Sequence, residues 1–147
     1  MRIILASDHA GFSLKEKIKA WLQQKGYVVH DVGAFSEERS DYPGFAHQAA
    51  EKLAKGEADR GVLVCGSGIG MCMAANRTPG VRAAVLRNEE DARLSRAHND
   101  ANVACLGGRL TDPEEGTKLL EIFLNTPFEG GRHIPRLQKL EKKNDCF

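Results

Sequence analysis

The sequence predicts a three-layer, doubly wound α/β fold built on five parallel strands. Three observations carry this. Short apolar runs of strand type alternate five times with longer stretches whose apolar residues recur at helical spacing. Hairpin signals between neighbouring runs are missing, so each strand must return by a crossover. The third run, Val62-Leu63-Val64-Cys65, passes directly into Gly66-Ser67-Gly68-Ile69-Gly70 and then into helix formers, Met71 to Ala75. That is a strand, a tight loop and a helix N-terminus, the junction such sheets use.

The elements follow in order. Residues 2–8 form the first strand, ending in Asp8-His9-Ala10-Gly11. From Ser13, residues Leu14, Ile18, Trp21 and Leu22 mark one helix face, with Lys15, Glu16, Lys17 and Lys19 on the other. Gly26 suits the position just past its end. Tyr27 to Val32 is the second strand, and a polar loop from Ser36 to Asp41 follows. Pro43 fits the first turn of a second helix, with Ala46, Ala49, Ala50 and Leu53 facing inward and Gly56 ending it. After the third strand and helix come a strand over Val81–Leu86, a helix over Glu89–Ala97 and a strand over Asn102–Leu106. Asp112-Pro113 opens a fifth helix that runs to about Leu124. The tail from Arg132 to Lys143 carries Ile134, Leu137 and Leu140 at helical spacing, which predicts a C-terminal helix packing on another surface.

At 147 residues the chain is expected to be a single domain over residues 1–147, large enough for a sizeable core. Hydrophobic content of 41% and charged content of 28% are those of an ordinary soluble protein. A formal net charge of +1 gives no reason to expect nucleic acid or an anionic membrane as partner. No apolar run approaches the roughly 20 residues of a membrane helix, and Met1 to Asp8 turns polar too soon for a signal peptide. A cytoplasmic location is expected. Cys65, Cys72, Cys105 and Cys146 have neither CxxC pairing nor metal-site spacing. Cys72 and Cys105 read as buried structural thiols, and Cys146 lies beside the terminus.

Right-handed crossovers leave few topologies. The commonest for five strands is the Rossmann-like order 2-1-3-4-5, whose switch point lies between strands one and three. Ligands bind there, outside the carboxyl ends of the strands. The order therefore brings Asp8-His9-Ala10-Gly11 beside Cys65 to Gly70. A dinucleotide fingerprint is a poor fit for the loop: the spacing is GxGxG, it follows strand three, and no acidic ribose partner is clear. Two readings remain, a turn needed only for close strand–helix packing and a cradle of backbone amides facing a developing negative charge. Ser67 could add a hydroxyl donor. Cys65 reads equally as a buried strand cysteine and as a base or nucleophile at the cradle's rim. Asp8 and His9 could cap the next helix or bind sugar hydroxyls and phosphate.

His98-Asn99-Asp100 precedes the fifth strand, at the wrong end of the sheet for a site beside Cys65. It is either a helix-terminal polar turn or part of a site completed by another subunit. Arg132 and Arg136, four apart on one helix face beside His133, are either a solvated basic face or ligands for phosphate. Arg109, in Gly107-Gly108-Arg109, is a further candidate anion ligand.

Five motifs carry a resemblance. They are Ser7-Asp8-His9-Ala10-Gly11, Ser40-Asp41-Tyr42-Pro43, Cys65 to Gly70 with Ala74-Ala75-Asn76, Ser95 to Asn102, and Glu129-Gly130-Gly131-Arg132-His133. Spanning nearly the whole chain, they resemble the B-type ribose-5-phosphate isomerases, of the superfamily that includes lactose-pathway galactose-6-phosphate isomerase subunits. The resemblance implies a dimer or tetramer with sites at the subunit interface, where His98, Asn99 and, on this reading, Arg109 come from a neighbouring chain. It implies interconversion of ribose 5-phosphate and ribulose 5-phosphate through a cis-enediolate, with no metal and no cofactor. Cys65 would be the base, since Met71 stands where other members carry a Glu. The amides of Gly66, Ser67, Gly68, Ile69 and Gly70 would hold the enediolate. His98 would assist ring opening with Asp8 as partner, and Asn99 would contact sugar oxygens. His9, Arg109, Arg132 and Arg136 would bind phosphate, and Tyr42 is a weaker candidate for the site wall. A hexose 6-phosphate isomerase and a nucleotide- or phosphate-binding regulatory module remain the alternatives.

Overall fold

The computed structural model describes residues 1–142, so Lys143 and Cys146 lie outside the described residues. Strands β1 (Arg2–Ser7), β2 (Val28–Asp31), β3 (Arg60–Cys65), β4 (Ala83–Val85) and β5 (Val103–Gly107) form one parallel sheet. Between and after them run helices α1 (Phe12–Gln24), α2 (Tyr42–Ala54), α3 (Ile69–Ala75), α4 (Glu89–Ala97) and α5 (Pro113–Asn125). A 3-10 turn at Gly131–His133 leads into α6 (Ile134–Glu141). No described helix is long and apolar enough to cross a membrane.

The doubly wound parallel sheet is as the sequence predicts, but the strand order is β2-β1-β3-β5-β4, not 2-1-3-4-5. Burial explains the difference. All five residues of β5 are buried, as a strand covered on both faces requires, whereas the three residues of β4 are only half-buried. β5 therefore takes the place beside β3, and the shorter β4 closes the edge. Asp8 and Cys65 remain neighbours because β1 and β3 pair as expected, with Ser7 opposite Val64.

Alternate residues of each strand feed the two cores. Ile3, Leu5, Val62, Val64, Ala104 and Leu106 pack against α1, α4 and α5. Ile4, Ala6, Leu63, Cys65, Val103 and Cys105 pack against α2 and α3. Cys105 is fully buried, and burial pushes its thiol up. Cys72, expected to be buried too, is only half-buried, with its Sγ 3.3 Å from the Ala83 carbonyl.

Lys15 departs from its helical spacing. It is fully buried, with its ammonium 2.6 Å from Asp31 and 3.0 Å from Glu16. The same ammonium lies 5.5 Å from the ring centre of Phe12 and 5.3 Å from that of Phe35. Burial alone would raise the Asp31 carboxyl. Hydrogen bonds from Lys15, Lys19 and the Gly33 N–H outweigh it and hold Asp31 below the usual carboxylate range.

The tail forms its helix, although Arg132 falls in the 3-10 turn before it. No residue of α6 is buried, and Ile134 and Leu140 are exposed. An ion pair between Arg82 and Glu141 at 2.9 Å ties it to the start of β4.

Candidate active site

At the carboxyl end of the sheet a cavity of about 330 Å³ is lined by Asp8, Tyr42, Cys65, Ser67, Gly70 and Arg109, with Gly66 and Leu110 completing it. Each group arrives by a separate backbone cause. Cys65 is the last residue of β3, and its sulfur accepts a hydrogen bond from the Gly68 N–H at 3.2 Å. Gly68 can aim that amide backward because its φ is +78°. A Cβ there would also come within 2.9 Å of the Leu106 carbonyl carbon. The bond fixes the position of the sulfur beside the loop. The Ile69 N–H turns to the Ser67 hydroxyl at 3.2 Å. Among the described residues, the Gly66, Ser67 and Gly70 N–H groups have no internal acceptor. They, rather than Gly68 and Ile69, are the amides the loop leaves for a ligand.

Asp8 follows β1 and is buried. It does not cap α1, whose N-cap is Gly11; its Oδ1 accepts from the Gly11 N–H at 3.0 Å, folding the loop back on itself. His9 is half-buried and held through Nδ1, 3.0 Å from the Ser40 carbonyl and 3.2 Å from the Ser40 N–H. Its N–H bonds the Ser40 hydroxyl at 3.1 Å. The polar loop before α2 thus sets the orientation of His9. Tyr42 opens α2 and lays its ring against Gly70, where a Cβ would stand 2.7 Å from the ring.

Arg109 is a correction. It stands in the same chain's cavity, because β5 pairs with β3 and puts Gly107 opposite Cys65. Its N–H donates to the Gly66 carbonyl at 3.1 Å, and its guanidinium lies over Gly66, 3.0 Å from where a Cβ would be. The exchanged strand order is what makes a neighbouring chain unnecessary for this residue.

His98, Asn99, Arg132 and Arg136 are elsewhere. His98 and Asn99 follow α4 at the opposite end of the sheet, before β5. The register from Gly61–Val103 to Cys65–Gly107 spans four residue steps, so about 13 Å of sheet separates the two ends at ~3.3 Å per residue. The His98 ring stacks on His133, with centroids 4.3 Å apart and planes 19° apart. Arg132 and Arg136 are exposed beside them.

The loop carrying His98 is held by a clamp that joins Arg96 and Asp100, within the Ser95 to Asn102 motif, to Arg82 outside it. Asp100 has a φ of +44°, unusual for a residue with a side chain. Arg96, itself buried, bonds Asp100 Oδ1 at 2.7 Å and the Ala101 carbonyl at 2.7 Å. Arg82 bonds Asp100 Oδ2 at 3.1 Å and its carbonyl at 3.0 Å. Since Arg82 also holds Glu141, one guanidinium ties the His98 loop to α6. Sequence reading also misses Leu110, an exposed apolar residue at the cavity mouth whose position in a loop gives no periodic signal.

Comparison with known proteins finds close relatives over nearly the full length. Ribose-5-phosphate isomerase B of Escherichia coli is 42% identical over 139 residues, covering 95% of this chain and 93% of that protein. The solved structure of ribose-5-phosphate isomerase B from Clostridium thermocellum superposes with a TM-score of 0.95 at 43% identity, covering 96% of this chain and 95% of that one. That of the Mycoplasma genitalium enzyme with bound ribulose-5-phosphate gives a TM-score of 0.91 at 43% identity, over 95% and 93% of the two chains. These likenesses put the chain among the isomerases. It belongs to the ribose/galactose isomerase family, whose model matches residues 3–140.

Proposed function

We propose that the chain interconverts ribose 5-phosphate and ribulose 5-phosphate through a cis-enediolate, without a metal or cofactor. The observation that carries this is the Cys65 sulfur, held by the Gly68 amide at 3.2 Å on the floor of a cavity shared with Asp8, Ser67 and Arg109. Cys65 takes the proton from C2 of the open-chain aldose and returns it to C1, while the O2 proton passes to O1. Negative charge develops on the two sugar oxygens between those steps. The Ser67 and Gly70 amides face it, and removing one such donor costs about 3 kcal/mol in comparable sites. Asp8 handles hydroxyl protons beside them. Arg109 and His9 bind phosphate, which supplies orientation remote from the reacting carbons. The ribulose 5-phosphate bound to the Mycoplasma genitalium relative supports the substrate class.

The site is completed by a second copy of the chain. Its His98 opens the furanose ring, its Asn99 contacts sugar oxygens, and its Arg132 and Arg136 join the phosphate. The separation of about 13 Å within one chain and the uncovered apolar residues of α6 support this reading. So do the isologous interfaces that make twofold homodimers the commonest oligomers. The enzyme works in the cytoplasm, within pentose phosphate metabolism.

The test is turnover of ribose 5-phosphate by wild type and Cys65→Ala, with and without excess chelator. Wild-type activity should persist in chelator, and Cys65→Ala should fall by about a thousandfold or more. Full activity in Cys65→Ala would sink the base assignment. A panel of pentose and hexose phosphates in the same assay separates this reading from a hexose 6-phosphate isomerase.

A further inference from the structure

We propose that His98, Glu129 and His133 form a zinc-binding site through which Zn²⁺ inhibits the enzyme. Glu129 lies in the loop between α5 and the 3-10 turn, and its N–H bonds the Ala97 carbonyl at 3.0 Å, which pins the loop to the end of α4. One carboxylate oxygen, Oε2, then stands 3.6 Å from His98 Nε2 and 3.5 Å from His133 Nε2. Among the described residues, this is the group of three whose donor atoms lie close enough, within 4.8 Å of one another, to share an ion.

The distances suit the cation. Bonds of about 2.0–2.1 Å to nitrogen and oxygen in a tetrahedral zinc site put neighbouring donors ~3.4 Å apart. The two observed carboxylate–imidazole separations are close to that edge length. Bringing both nitrogens onto one ion requires the rings to rotate out of their 19° stack until their in-plane lone pairs converge. Two imidazoles and one carboxylate are a known zinc set that leaves a fourth position open. Nitrogen donors disfavour Mg²⁺ and Ca²⁺, which take oxygen.

A second observation points to a ligand. His133 is buried, and its Nε2 has no hydrogen-bond partner. Buried polar atoms in folded proteins are almost always satisfied. Here the nearest acceptor, Glu129, lies at the far edge of contact and leaves room for an ion between them. His98 and Glu129 are partly exposed, which gives the ion a way in. The inhibitory effect rests on the function proposed above: an ion on His98 removes the ring-opening group and blocks the sugar. Because His98 is one of the groups that handle the sugar, the metal acts as a competitor and not as a cofactor.

The test has one arm that does not depend on activity. Titration of the full chain with Co²⁺ should give the visible absorption of a four-coordinate nitrogen and oxygen site, without the near-ultraviolet band of cobalt bound to thiolate. Zn²⁺ should displace the Co²⁺, and Mg²⁺ should leave the spectrum unchanged. Glu129→Gln, at a half-exposed side chain, and His133→Gln should each raise the Zn²⁺ dissociation constant at least tenfold. In the second arm, Zn²⁺ at saturating occupancy should lower ribose 5-phosphate turnover at least tenfold, and chelator should restore it. Unchanged zinc affinity in a folded Glu129→Gln chain, or cobalt bound through thiolate alone, would overturn the site. Metal binding that depends on both residues, in a chain that isomerises no sugar phosphate, would overturn the function and leave the metal site standing.

Discussion

Arg109 shows how much a single residue's role depends on its backbone. Its guanidinium reaches the cavity only because Gly107-Gly108 turns immediately after β5 and the Arg109 N–H is fixed to Gly66. The side chain is otherwise exposed and makes no ion pair among the described residues. Removing it should therefore leave the fold intact and act on substrate binding. Arg109→Ala is expected to raise KM for ribose 5-phosphate about tenfold with a smaller change in kcat, which steady-state kinetics can separate. Arg109→Lys should recover only part of the loss, because an ammonium lacks the planar fork that grips phosphate oxygens in pairs. Of the residues predicted from sequence, Asp8, Cys65, Ser67 and Arg109 meet in one cavity. They were legible because polar residues at the ends of apolar strands have few structural reasons to be there. Leu110 and the Arg82–Asp100 half of the clamp were not, since neither periodicity nor spacing marks a loop contact made across 18 residues of chain.

At the scale of elements, the strand boundaries followed from apolar runs, and the order of the last two strands did not. The signal lay in composition. Val103-Ala104-Cys105-Leu106-Gly107 is uninterrupted and small, suiting a central strand, while Ala83-Ala84-Val85 is bracketed by Arg82 and Arg87, suiting an edge. Lys15 departs from expectation for a different reason: helical spacing assigns it to solvent, but α1 turns it toward β2, where Asp31 receives it. That pair makes stability depend on pH. The folded Asp31 carboxyl ionises at lower pH than the unfolded one. Its contribution is thus complete above the unfolded pKa, near ~4, and is lost as pH falls through the lower folded value. Asp31→Asn should cost about 3 kcal/mol at neutral pH, and the gap from wild type should close on acidification. Thermal melts across that range would measure it; a gap independent of pH would refute the assignment.

For the whole molecule, the two clusters of polar residues lie at opposite ends of one sheet. A twofold pair of chains would join the Cys65 end of each to the His98 end of the other. Mixing Cys65→Ala with His98→Ala then creates, in every mixed pair, one site with both groups intact and one with neither. Random reassortment should return up to about a quarter of wild-type activity from two dead preparations. No recovery, with exchange demonstrated by mass spectrometry or a labelled subunit, would mean that each site is built within one chain. The exposed Ile134 and Leu140 of α6 mark where such a partner could lie.

The tight stitching of the glycine loops bears on how they move. Gly108 N–H reaches the Cys65 carbonyl at 2.7 Å, Arg109 N–H the Gly66 carbonyl at 3.1 Å, and Asp8 N–H the Val64 carbonyl at 3.2 Å. The Gly108 backbone also sits so close to the Ala10 carbonyl that a Cβ would come within 2.5 Å of it. Three chain segments thus form a backbone lattice, where surface loops ordinarily fray. The bonded amides of Asp8, Gly108 and Arg109 should exchange with deuterium as slowly as those inside β3, opening only when the whole molecule unfolds. The reacting groups would then be rigid before substrate arrives, and the slow motions of turnover would belong to the other end, where no described residue of α6 is buried.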